Sequence, residues 1–141
     1  MIENEVKGTI WSLVSYQSQD KAGNINYPLG DDAKGYIALT NDNILSVQLM
    51  AADRTRGRST DEIESMNTPV EQQMTEIGYH AYSGPFTVDE EEEVLITTVE
   101  LSLIADYIGS KQRRKVSIEG NKLHLSNIQH PERKLVWKRV E

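Results

Sequence analysis

The sequence predicts a mainly β protein, a single antiparallel up-and-down barrel with one helical insert after the third strand. Three observations carry this. Short segments rich in apolar and β-branched residues follow one another along the 141 residues, separated by turn chemistry. Only one stretch has a well-formed helix start and helical spacing behind it, too little helix for the crossovers of a parallel sheet. A meander this long best protects its edge strands by closing on itself.

The first strand covers Gly8 to Gln19. Asp20-Lys21-Ala22-Gly23-Asn24 then reads as a turn, because Gly and Asn tolerate positive φ. Tyr36 to Thr40 and Ile44 to Met50 are the next strands, joined by Asn41-Asp42-Asn43. Arg54 to Ser59 is polar and reads as a loop. Ser59-Thr60-Asp61-Glu62 has capping-box spacing. Thr68-Pro69-Val70-Glu71 is the stronger start, with Thr as N-cap, Pro at the first helical position and Glu three residues after the cap. Val70, Met74, Ile77 and Ala81 then form a narrow apolar stripe, and the main helix is expected from Pro69 to Tyr79. Strands resume over Gly84 to Val88, Val94 to Ile104, Gln112 to Glu119, Lys122 to Asn127 and Leu135 to Val140. Gly120-Asn121 is a two-residue hairpin signal. The acidic run Asp89 to Glu93 reads as a solvated hairpin tip, since adjacent side chains on an extended run diverge too far to share a metal.

Composition narrows the function classes. With no cysteine there is no disulfide, cysteine-ligated metal or thiol nucleophile. The net charge of -7 disfavours nucleic acid as a partner. No apolar run approaches a membrane span, and the acidic start Met1-Ile2-Glu3-Asn4-Glu5 is unlike a signal peptide. A cytoplasmic protein, one domain over residues 1–141, as monomer or homodimer, is the expectation. His80, His124 and His130 share no ligand spacing, so no metal site is expected. No phosphate loop or nucleophile elbow appears, and nothing calls for a cofactor.

Alternation sorts the candidate site residues, because successive side chains of a strand face opposite sides. In Lys111 to Glu119 one face carries Gln112, Arg114, Val116 and Ile118. The other carries Arg113, Lys115, Ser117 and Glu119 and is plainly solvent-facing. Arg114 therefore turns towards the apolar side, where a charge needs a partner. Three readings stay open: Arg114 pairs with an internal carboxylate, for which Glu100 is the candidate, it reaches the rim, or it meets the acid group of a ligand. The inward face of Val94 to Ile104 is not decided by its pattern. Gln48 is a polar residue in an otherwise apolar strand, and Tyr36 and Tyr82 are amphipathic rings of the kind that line pockets. Tyr36, Gln48, Tyr82, Glu100, Gln112 and Arg114 are thus the candidate ligand-binding residues.

Several segments together look familiar. Trp11-Ser12-Leu13-Val14-Ser15-Tyr16, Tyr27-Pro28-Leu29-Gly30-Asp31-Asp32-Ala33-Lys34-Gly35-Tyr36, Ser46-Val47-Gln48-Leu49-Met50, Tyr82-Ser83-Gly84-Pro85-Phe86-Thr87-Val88-Asp89, Gly109-Ser110-Lys111-Gln112-Arg113-Arg114 and Leu135-Val136-Trp137-Lys138-Arg139 resemble lipocalin-like domains, in order and over nearly the whole chain. The resemblance implies a calycin-like barrel with a helix after the third strand, and a first-strand Trp11 paired with Arg139 as a structural plug. One departure is that Gly8 and Trp11 are separated by two residues, where lipocalins often have Gly-x-Trp. The resemblance implies a container more than an activity. The expected partner is a small apolar or aromatic molecule, its acidity left open. The alternatives are a small isomerase or cyclase, with Glu100 and Tyr82 or Arg114 as acid and base, and a filled barrel serving as a protein-interaction module.

Overall fold

The computed structural model describes residues 1–55 and 57–140. A short helix α1 (Ile2–Val6) precedes the strands β1 (Thr9–Gln19), β2 (Ile25–Asn26), β3 (Lys34–Leu39) and β4 (Ile44–Met50). Helices α2 (Thr60–Glu64) and α3 (Pro69–Ile77) follow, then β5 (Tyr79–Asp89), β6 (Val94–Thr98) and β7 (Leu101–Ser102). A 3-10 turn (Ala105–Tyr107), β8 (Lys111–Glu119), β9 (Lys122–Asn127) and β10 (Lys134–Arg139) complete the order. Eight antiparallel strands close into a barrel, β10 pairing with β1, while β2 and β7 are short side pieces.

The core follows the alternation. Ile37, Leu39, Leu45, Val47, Leu49, Phe86, Leu95, Val116, Leu123, Leu125 and Trp137 are buried on the inner wall. β1 does not keep strict period two. A bulge between Leu13 and Ser15 switches its parity, so that Trp11 and Tyr16 are both buried. The expected strand Val94 to Ile104 is two pieces, because β5 and the chain after β6 come into contact at Gly84. A Cβ there would lie 1.8 Å from the Thr98 carbonyl oxygen, which only glycine avoids.

α1, which the sequence pattern does not announce, covers one barrel end with the buried Val6. Its first two amides, of Ile2 and Glu3, donate to the Glu90 carboxylate at 2.8 and 3.0 Å. The acidic hairpin tip is therefore more than solvated charge, since Glu90 holds this helix. Trp11 donates to Thr9 Oγ1 at 2.8 Å, and Thr9 in turn donates to the Val6 carbonyl. The Arg139 guanidinium stands over the Trp11 ring, 5.9 Å from its centroid, at the Trp11–Arg139 pair of the closing register.

The opposite end carries α2 and α3. Both expected helix starts are present: Ser59 and Glu62 form a capping box, and Thr68 accepts from the Glu71 amide with Pro69 behind it. α3 ends earlier than expected, at Ile77, because Gly78 takes the left-handed conformation that closes a helix. Ile77 is thus 42% exposed, and Ala81 belongs to β5. The packed face of α3 is Val70 and Met74 together with the buried polar residues Glu71 and Thr75. Thr75 donates to the Pro28 carbonyl at 3.1 Å, so the segment from Tyr27 to Gly35 is the seat on which α3 rests. Among the described residues no helix is long and apolar enough to cross a membrane.

Candidate functional site

A cavity lies inside the barrel beneath α3. Its apolar wall is Ile37, Leu45, Val47 and Leu49 from β3 and β4, roofed by Val70 and Met74. Its polar wall brings together His80 and Tyr82 from β5, Tyr107 from the 3-10 turn and Arg114 from β8, with Tyr16, Asn127, Arg133 and Trp137 beside them. The cavity volume is about 60 Å³. One ordered water needs about 10–15 Å³ of such space, so the cavity holds a few waters, the scale of one small ring.

Arg114 is the organising cation. Its Nη2 donates to Tyr107 Oη at 3.0 Å and to Gln112 Oε1 at 3.1 Å. Tyr107 also donates to Gln112 Oε1 at 2.8 Å, and Gln112 Nε2 donates to Ser110 Oγ at 2.8 Å. The Nη1 group donates to the Arg113 carbonyl at 3.1 Å. Among the described residues no carboxylate lies within ion-pair distance of Arg114. Three aromatic rings pack around one another on this wall: His80 to Tyr107 at 5.1 Å, His80 to Tyr82 at 5.4 Å and Tyr82 to Tyr107 at 5.2 Å between centroids.

Burial and the Arg114 charge, in that order, lower His80 to about 4, so its imidazole is neutral at pH 7. Burial raises Tyr82 to about 12 despite Arg114, and raises Tyr16, with the Glu71 carboxylate adding to the effect. Several buried nitrogens on the wall have no hydrogen-bond partner among the described residues: both of His80, Nε1 of Trp137 and Nε of Arg133. A second charged group borders the site. Arg133 Nη2 stands 3.2 Å from Glu71 Oε1 and donates to Thr68 Oγ1 at 2.8 Å, while Tyr16 Oη lies 3.5 Å from Glu71 Oε2.

Three of the six candidate residues meet here: Tyr82 and Arg114 on the wall, and Gln112 as the partner of Arg114. The other three do not. Tyr36 is 60% exposed and pairs with Gln48, also exposed, because Ile37 and Val47 take the inner positions of β3 and β4. Glu100 is exposed, at the break between β6 and β7, with its amide bonded to the Ser83 carbonyl. An Arg114–Glu100 pair is thereby excluded, and so is acid–base work by Glu100 inside the barrel. The inward side of β6 is Leu95 and Thr97. His80, Tyr107 and the Glu71–Arg133 pair were not singled out from the sequence. Alternation back from Tyr82 would have placed His80 inside. Tyr107 had no such signal, because it stands in an irregular turn. Among the described residues no cluster suits a metal ion.

A family model described as a lipocalin-like domain matches residues 8–140. The chain belongs to the lipocalin-like domain family. No curated protein and no solved structure matches it significantly. A lipocalin-like barrel points to small-molecule binding in general, and the family carries no specific role over to this member.

Proposed function

We propose that this lipocalin-like domain binds a small acidic molecule in the cavity beneath α3, with Arg114 as its anion receptor. The observation that supports this is the company Arg114 keeps. A guanidinium is always charged at physiological pH, and here the oxygens that accept from it, of Tyr107, Gln112 and the Arg113 carbonyl, are all neutral. A charge in such a place is costly until an anion meets it, and the planar fork suits a carboxylate bidentately. Tyr107 and Gln112 hold the fork in place before any ligand arrives. The apolar wall and the modest volume suit a body of about one aromatic ring.

The test is calorimetric titration with benzoate and with its neutral isostere benzamide. Benzoate is expected to bind and benzamide to bind at least about tenfold more weakly, as loss of a charged hydrogen-bond pair implies. Arg114→Met keeps the stem and removes the fork, and should lose benzoate by the same factor. Arg113→Met, on the outer face of β8, should leave binding unchanged. Equal affinity for both probes, or benzoate binding that survives Arg114→Met, would overturn the proposal.

A further inference from the structure

We infer that the ligand of this site is a hydroxylated aromatic acid, its acid group on Arg114 and its hydroxyl on His80. The inference rests on Arg114 being the anion receptor and adds what the rest of the wall requires. His80 is 4% exposed, lines the same cavity, and has no hydrogen-bond partner among the described residues for either ring nitrogen. A neutral imidazole carries one N–H donor and one acceptor nitrogen, and leaving both buried and unpaired is unfavourable.

The other unpartnered nitrogens on the wall, Trp137 Nε1 and Arg133 Nε, can only donate, and so can Arg114. Among these groups His80 alone can accept. A carboxylate supplies acceptors for Arg114 but no proton for His80. The ligand therefore needs a second group that donates. A charged amine would be buried beside the Arg114 cation, an arrangement that like-charge repulsion and desolvation both oppose. A neutral hydroxyl meets the requirement. The spacing favours an aromatic spacer, because Tyr107 touches both groups: its ring packs on His80 and its hydroxyl accepts from Arg114. A phenol-sized body laid along Tyr107 spans the same two points.

The experiment compares benzoate, 3- and 4-hydroxybenzoate, and the matching fluorobenzoates, which fill similar space without a donor. One of the hydroxybenzoates is expected to bind roughly five- to tenfold tighter than its fluoro counterpart, the gain one net hydrogen bond supplies. In His80→Phe that gain should vanish, the hydroxybenzoate and its fluoro counterpart then binding alike. In the unmodified protein, the ¹⁵N resonance of the His80 acceptor nitrogen should shift with the hydroxybenzoate and not with the fluorobenzoate, a readout that needs no variant. Benzoate binding with no hydroxyl gain, or a gain that survives His80→Phe, would overturn this inference and leave the Arg114 reading standing. Failure of every benzoate to bind would overturn both.

Discussion

His80 shows how one side chain ties the site to the stability of the whole. Its ring is buried against Tyr82, Tyr107 and Arg114, which lowers its pKa to about 4, against 6.5 for a free histidine. Between those two values the unfolded chain binds a proton that the native chain does not, so stability rises with pH through that window. The contribution is complete above about pH 6.5 and is lost as the pH falls towards 4. Its size is roughly 2–4 kcal/mol, because each tenfold change in proton affinity is worth about 1.4 kcal/mol. Urea unfolding of the wild type and of His80→Phe between pH 4 and 7 isolates it: the wild type should lose that much more stability on acidification. Parallel pH profiles would show that the imidazole titrates normally. The neighbouring residues differ in how far the sequence exposes them. Arg114 and Gln112 are legible because Arg113, Lys115 and Glu119 mark the solvent face of the same strand. Tyr36 and Gln48 mislead because an amphipathic residue in an apolar strand reads the same whether it faces out to water or into a pocket.

At the scale of elements, α3 is held over the cavity by a polar joint that no hydrophobic periodicity announces. Glu71 is 1% exposed, its carboxylate is paired with Arg133 from the loop between β9 and β10, and Arg133 also reaches the Thr68 cap of the same helix. Removing one partner leaves the other charge buried, which typically costs about 3–5 kcal/mol, whereas removing both costs less. Arg133→Met should fall in that range by urea unfolding, and Glu71→Gln combined with Arg133→Met should be more stable than Arg133→Met alone. A loss under about 0.5 kcal/mol for the single variant would mean that the pair does not anchor the helix. The sequence shows where α3 begins, through Thr68 and Pro69, since capping is local chemistry. Which side it buries depends on a loop more than fifty residues away. The break in the strand after Thr98 is hidden for the same reason, because it answers to Gly84 on the neighbouring strand. The parity change in β1 likewise comes from the bulge opposite β10.

For the whole molecule the decisive contact is the seam between the first and last strands. β1 pairs with β10 from Trp11–Arg139 to Gln17–Lys134, so the barrel closes only when the two ends of the chain meet. Both tryptophans belong to this seam: Trp11 is buried beneath Arg139, and Trp137, fully buried, stands opposite Leu13. Tryptophan fluorescence therefore reports on closure, while far-UV circular dichroism reports on all the strands. If the seam and the meander are one cooperative unit, the two signals should give coincident urea transitions. Trp11→Ala removes a large buried side chain and leaves the Arg139 guanidinium without its ring. The variant should lose about 3–5 kcal/mol, with an earlier midpoint and an unchanged slope, because the surface exposed on unfolding stays nearly the same. A loss under about 1 kcal/mol would make Trp11 peripheral to the fold. A fluorescence transition in the wild type that precedes the circular dichroism transition would show the seam opening by itself. In that case the barrel would be an open meander, latched by its ends, over part of its stability range.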